Sequence, residues 1–200
     1  SAAQLVVYSE GGVKAIDLRQ AIRFSLAVGP ISVEDDVLDG VIQLLEEKNL
    51  QDQLGLTVGE QEEHLFQGLA EGLPEGEWPE VVSYLIGRGK GLTPSGDDLL
   101  LAYLFTLKLF APDQAFHLAS ALASAELSTT SISQNYIEAL LAGYVSSPIY
   151  HLFLAFKNKD TLKQLSEAVD RLTKIGHTSG KDMSFGLLLG LRAIRYAHCQ

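Results

Sequence analysis

Apolar residues change their spacing along this chain, and the change divides it. Gln4–Val7 and Val13–Leu18 alternate around Gly11-Gly12, the pattern of two strands joined by a tight turn. From Val33 the spacing becomes helical: Val37, Val41, Leu44 and Leu45 lie on one face of Val33–Leu50. Glu60–Ala70 reads as a second helix, ending near Gly72-Leu73-Pro74. The acidic stretch Glu71–Glu80 reads as a surface connection, and Pro79 suits the first turn of a short helix reaching Ile86. Six further helices follow, at Ser95–Phe110, Pro112–Glu126, Ser131–Tyr144, Pro148–Phe156, Asp160–Ile175 and Lys181–Ala197. In the fifth of these, Leu162, Leu165, Val169, Leu172 and Ile175 form a stripe, and Glu167 and Arg171 stand one turn apart.

Leu99–Phe110 and Phe185–Leu191 are apolar nearly all round, as helices in the middle of a bundle are. Gly186 and Gly190, four apart, let a neighbouring helix approach closely. The pattern predicts a mainly α fold: a helical bundle with two central apolar helices and a small N-terminal β-hairpin. It reads as a single domain over 1–200, β-rich over 1–30 and helical over 31–200.

Composition narrows the function. Apolar residues make up 46% and charged residues 20%, values of a globular chain rather than a disordered one. A net charge of −10 argues against nucleic acid, whose phosphates need clustered Lys and Arg. Leu99–Phe110 is too short for a membrane span and contains Lys108. A single cysteine, Cys199, allows neither an internal disulfide nor a cysteine metal cluster, and the expected compartment is the cytoplasm.

Both central helices are entered through nearly the same chemistry. The first loop runs Gly87-Arg88-Gly89-Lys90-Gly91-Leu92-Thr93-Pro94-Ser95-Gly96-Asp97-Asp98, and the second Gly176-His177-Thr178-Ser179-Gly180-Lys181-Asp182. Each contains Ser-Gly-x-Asp with a Thr just before it. One reading is a capping box, with Ser95 or Ser179 as cap and Asp98 or Asp182 returning a hydrogen bond. The other is a ligand site. Three glycines at alternate positions bring backbone N–H groups close to a ligand, and Arg88 and Lys90 add positive charge at a helix N-terminus, a combination that binds anions. Asp97-Asp98 supplies two carboxylates where a cap uses one; the second can hold a metal, accept a proton or fix an amide. The shared Ser-Gly-x-Asp chemistry predicts that the loops Gly89–Asp98 and His177–Asp182 lie side by side, at the same end of two packed, parallel central helices; an antiparallel pair would hold them roughly 24 Å apart.

On the ligand reading Gly89, Gly91, Gly96 and Gly180 shape a cradle for a small anionic metabolite, and Thr93, Ser95, Thr178 and Ser179 donate hydrogen bonds. Asp97, Asp98 and Asp182 are the candidate catalytic carboxylates. His177, the one histidine in a loop, is a candidate acid/base or oxyanion donor, although a structural histidine bonding a loop carbonyl fits equally. Ser128–Tyr136 adds six hydroxyls and two amides, a polar helix start or a neutral wall to which Ser131 and Asn135 contribute. Ser146-Ser147-Pro148 reads as a cap. The sequence lacks the P-loop, the Gly-x-Ser-x-Gly elbow, the His-Glu-x-x-His zinc motif and the Rossmann fingerprint. It designates no metal or cofactor.

Three segments together carry a family resemblance: Gly87–Asp98, Gly143-Tyr144-Val145-Ser146-Ser147-Pro148, and Gly176–Asp182, in that order. They resemble the AllH-type family of bacterial proteins, some of whose members are linked to oxamate carbamoyltransferase in purine (allantoin) breakdown. The resemblance implies an enzyme or enzyme subunit acting with partner subunits, exchanging a carbamoyl group between oxamate and phosphate. Family members carry a longer β-rich region before the first loop, so the resemblance implies a shorter branch here. A non-catalytic subunit that senses a metabolite or docks a partner is the alternative, and a homo-oligomer is compatible with either.

Overall fold

The computed structural model describes residues 4–22 and 24–199. The predicted β-rich stretch 1–30 includes 1–3 and 23, which lie outside the described residues. Among the described residues two strands, β1 (Gln4–Ser9) and β2 (Gly12–Asp17), precede nine α-helices. These are α1 (Asp35–Glu46), α2 (Glu60–Glu71), α3 (Trp78–Leu85), α4 (Ser95–Phe110), α5 (Pro112–Ser124), α6 (Ser131–Leu141), α7 (Ser147–Lys157), α8 (Leu162–Thr173) and α9 (Ser179–His198). The fold is mainly α. No described helix is long and apolar enough to cross a membrane.

The strands pair antiparallel with Ser9 opposite Gly12, so the turn is Glu10-Gly11, one residue earlier than the Gly-Gly pair suggests. Gly12 takes φ 110°, which favours glycine. The residues of both strands are exposed.

Helices α4 and α9 form the most extensive contact in the molecule, with α1, α2 and α8 packed on α9 and α3, α5 and α6 on α4. Burial of α4 is nearly continuous from Ser95 to Leu109, the all-round burial expected of a central helix. The glycines on α9 set the approach. A Cβ at Gly186 would stand 2.2 Å from the Leu99 carbonyl oxygen, and one at Gly190 would stand 2.8 Å from the Thr106 side chain. Contacts that advance together along both helices make the pair parallel, which brings both loops to one end.

A segment before α1 braces the outer layer. Val28 N–H donates to the Gly143 carbonyl (2.9 Å), Val145 N–H to the Leu26 carbonyl (3.1 Å), and Ile31 N–H to the Leu109 carbonyl (2.9 Å). The turn between α6 and α7, carrying Tyr144 and Ser146, is thereby fixed against the core.

Candidate functional site

Capping does not account for the two loops. Pro94 is the N-cap of α4 and Thr178 that of α9, and neither cap carries a side-chain hydrogen bond. Ser95 and Ser179 are the first helical residues, one position too late to cap, and Asp98 and Asp182 fall one position beyond the reach of a capping box. The glycines of the two motifs serve packing. A Cβ on Gly96 would stand 2.0 Å from the Leu85 carbonyl oxygen at the end of α3, and one on Gly180 would stand 2.2 Å from the Leu172 carbonyl oxygen in α8. Both glycines are buried in helix contacts; they let the preceding helix close onto the start of the next.

The loops cross-connect. The Thr93 and Ser179 hydroxyls, one from each loop, are 2.8 Å apart. Both lie beside Asp98 and favour its charged form, and Ser95 and Thr178 do the same for Asp182. Each aspartate is therefore attended by the serine of the opposite loop. Asp98 and Asp182 are buried, and one carboxyl oxygen of each (Oδ2) has no hydrogen-bond partner among the described residues. Burial pushes the Asp98 carboxyl up to about 7; the two hydroxyls oppose that shift, and the charges of Asp182 and Asp97 add to it. Burial also raises Asp182 above the ordinary carboxylate range, against a hydrogen bond from the Gly55 N–H.

Asp97 has a different task. Its carboxylate accepts from Gly87 N–H (2.6 Å), Ser133 Oγ (2.5 Å) and Thr129 Oγ1. It buckles the first loop to the start of α6. Ser133 and Thr129 are the members of the polar run that reach it. Ser131 and Asn135 are exposed, and Asn135 Nδ2 donates to the Ser131 carbonyl (2.7 Å), so the structure does not bring these two to the site.

The positive charge expected beside the glycines is turned elsewhere. Arg88 pairs with Glu62 (2.6 Å) and lies 3.8 Å from the Tyr84 ring centroid. Lys90 is exposed. The backbone keeps its donors: the N–H groups of Gly89, Lys90, Gly91, Leu92, Thr93 and Ser95 have no partner among the described residues. Gly89 (φ 119°) and Gly91 (φ 93°) hold the left-handed backbone this requires. With Ser128–Thr130 they border an open surface depression. His177 is exposed, has no hydrogen bond among the described residues, and does not line the cavity described next.

A cavity of about 240 Å³ opens beside Asp98. Thr93 and Asp98 border it from the first loop and α4, Gly176 and Ser179 from the second loop. Tyr144, Val145, Ser146 and Pro148 come from the α6–α7 turn, and Tyr136 from α6. Tyr144 was not singled out from the residues themselves, and Ser146 was read only as a cap. Ser146 is the N-cap of α7 but makes no side-chain cap hydrogen bond. Gly55 was missed too. Its N–H donates to Asp182 Oδ1 (3.0 Å), and a Cβ there would stand 2.3 Å from Ser95 Oγ and 2.6 Å from Thr178 Oγ1. The one available signal is that Gly55-Leu56-Thr57 repeats the Gly91-Leu92-Thr93 of the first loop. No three His, Cys, Asp or Glu side chains come together as a metal-ligand set among the described residues.

The three sequence segments shared with a known family are thus the three that border one cavity. No solved structure matches this chain. The model of the family described as oxamate carbamoyltransferase subunit AllH matches residues 85–191, more than half of the chain, and the chain belongs to that family.

Proposed function

We propose that this chain is a substrate-binding subunit of a carbamoyl-transferring enzyme, and that the joined loops hold the carbamoyl end of a small substrate. The observation that carries this reading is the unpartnered Asp98 Oδ2, buried beside the Thr93 and Ser179 hydroxyls where two helix N-termini meet. A primary amide suits this set: its N–H₂ donates to the carboxylate and its carbonyl oxygen accepts from one hydroxyl, while the second hydroxyl stays paired with the first. An unsatisfied carboxyl oxygen in an enclosed site costs stability until a ligand pairs with it.

In this reading the free N–H groups of Gly89–Thr93 take the anionic end of a ligand such as oxamate or carbamoyl phosphate. Asp98 is the substrate-binding carboxyl, Asp182 its buried counterpart, and Asp97 a positioning residue that holds the glycine loop. His177 acts only if a ligand or partner subunit covers its exposed surface. The family's description as a subunit supports assembly with partner chains. The exposed histidine and the fully engaged Asp97 favour a second reading, in which the chain binds the metabolite and a partner performs the chemistry.

Thermal shift with oxamate, carbamoyl phosphate, phosphate and divalent ions tests binding, because a ligand of the native state raises apparent stability with its concentration. Oxamate or carbamoyl phosphate is expected to stabilise the wild type and not Asp98→Asn. Absence of any shift with all of them would remove the proposal. Turnover in the presence of partner subunits, lost on Asp98→Asn while the complex still forms, separates the catalytic reading from the sensing one.

A further inference from the structure

We propose that the cavity beside Asp98 selects a neutral primary carboxamide carried on a compact apolar body, a ligand larger and less charged than the small anions named above. The inference rests on the reading of Asp98 as the partner of the carbamoyl end. It adds what lies beyond that end.

Helix geometry sets the polarity of the cavity. Along α4 the wall passes from Asp98 to Leu101 and Phe105, about 10 Å of helix at 1.5 Å per residue. Along α9 it passes from Ser179 to Met183, one turn deeper. Both helices start with polar groups at the loops and become apolar further in, and Ile149 of α7 adds to the apolar part. The volume of about 240 Å³ holds roughly eight to twelve heavy atoms at liquid-like spacing. A six-atom ligand such as oxamate leaves its apolar part unfilled.

Charge favours a neutral occupant. No Lys, Arg or His lines the cavity. The titratable groups facing Asp98 are Asp97 on its own helix, Asp182 from α9, Tyr136 from α6 and Tyr144 from the α6–α7 turn. A carboxylate entering this space would be desolvated beside carboxyl groups with no cation to pair with. A carboxamide meets no such cost: it can donate to Asp98 when that group is ionised and accept from it when protonated.

Isothermal titration of the intact chain with acetamide, isobutyramide, benzamide, benzoate and oxamate, at pH 6 and pH 8, tests this. Affinity is expected to rise at least tenfold from acetamide to benzamide. Benzamide should change less than threefold between the two pH values, whereas benzoate should weaken about tenfold as Asp98 ionises. Ala139→Phe, which fills the cavity from α6, should abolish benzamide binding and leave oxamate binding in place; the ligand series in the wild type stands even if this variant does not fold. If oxamate or acetamide binds and the larger amides do not, this inference fails and the proposed function survives. If no amide and no oxamate binds, both fail. Benzamide binding undiminished in folded Ala139→Phe would place the ligand elsewhere and overturn the inference.

Discussion

The two entrances to the central helices begin with the same residues and end in different states. Both bury the glycine and the final aspartate of a Ser-Gly-x-Asp segment, both press the glycine against a carbonyl of the preceding helix, and both leave one carboxyl oxygen unpartnered. At the second, a backbone N–H from Gly55 meets the other oxygen of Asp182, and the residue before it is Lys181. At the first, the preceding residue is Asp97, which ties the loop to α6, and Asp98 faces a cavity. A repeated motif thus supplies one closed anchor and one open site. The difference lies in what the rest of the chain delivers to each.

The largest effects test what the entrances share. Gly96→Ala and Gly180→Ala each drive a methyl into a backbone carbonyl that cannot rotate away. Each is expected to cost about 3 kcal/mol, or to prevent folding, as read by urea denaturation. If only one of them did so, the two glycines would not be equivalent.

Next come the residues in which the entrances differ most plainly. Asp97→Ala leaves the Gly87 N–H and two hydroxyls without their acceptor and should cost about 3 kcal/mol. Lys181→Ala, at the corresponding position, should change stability by less than about 0.5 kcal/mol. Similar losses for the two would contradict the buckle role of Asp97.

The carboxyls themselves give a pH signature. Burial raises the folded-state value of Asp98 to about 7, so its protonated form is the one the fold favours. That stability is fully present below the unfolded value near 4 and is lost as pH rises through about 7. Asp98→Asn should therefore be more stable than wild type at pH 8, by about 4 kcal/mol, and near neutral at pH 4. Asp182→Asn should gain less at pH 8, because the Gly55 N–H already supports the charged form. Chemical denaturation of both variants across pH 4–8 checks the order; a larger gain at Asp182 would reverse the assignment of open site and anchor.

The smallest effect concerns Arg88. Its pair with Glu62 is partly exposed, and Arg88→Ala should cost about 0.5 kcal/mol. It should leave oxamate affinity within twofold by titration. A tenfold loss would return Arg88 to the site and show that it leaves Glu62 when ligand is present.

The central helices were legible because burial on every side writes itself into composition. Ser95–Phe110 was predicted with the bounds observed, and the shared loop chemistry correctly foretold that both helices start at one end. The roles within the loops were less legible. Ser95 and Ser179 read as caps, yet prolyl and threonyl residues take the cap positions and move both serines into the first turn. Arg88 looked like an anion ligand because Glu62 and Tyr84, far away in sequence, are invisible to local spacing.

By itself, then, the sequence determined where helices form, which two are central, and which loops carry polar chemistry, because periodicity and turn residues act within a few positions of the chain. Tertiary structure decided which oxygen is satisfied and which is not. Gly55 reaches Asp182, Ser133 and Thr129 reach Asp97, and Tyr144 and Ser146 border the space beside Asp98. Hydrogen bonding and desolvation depend on distances of a few ångströms between residues far apart in the chain, and packing alone sets those distances.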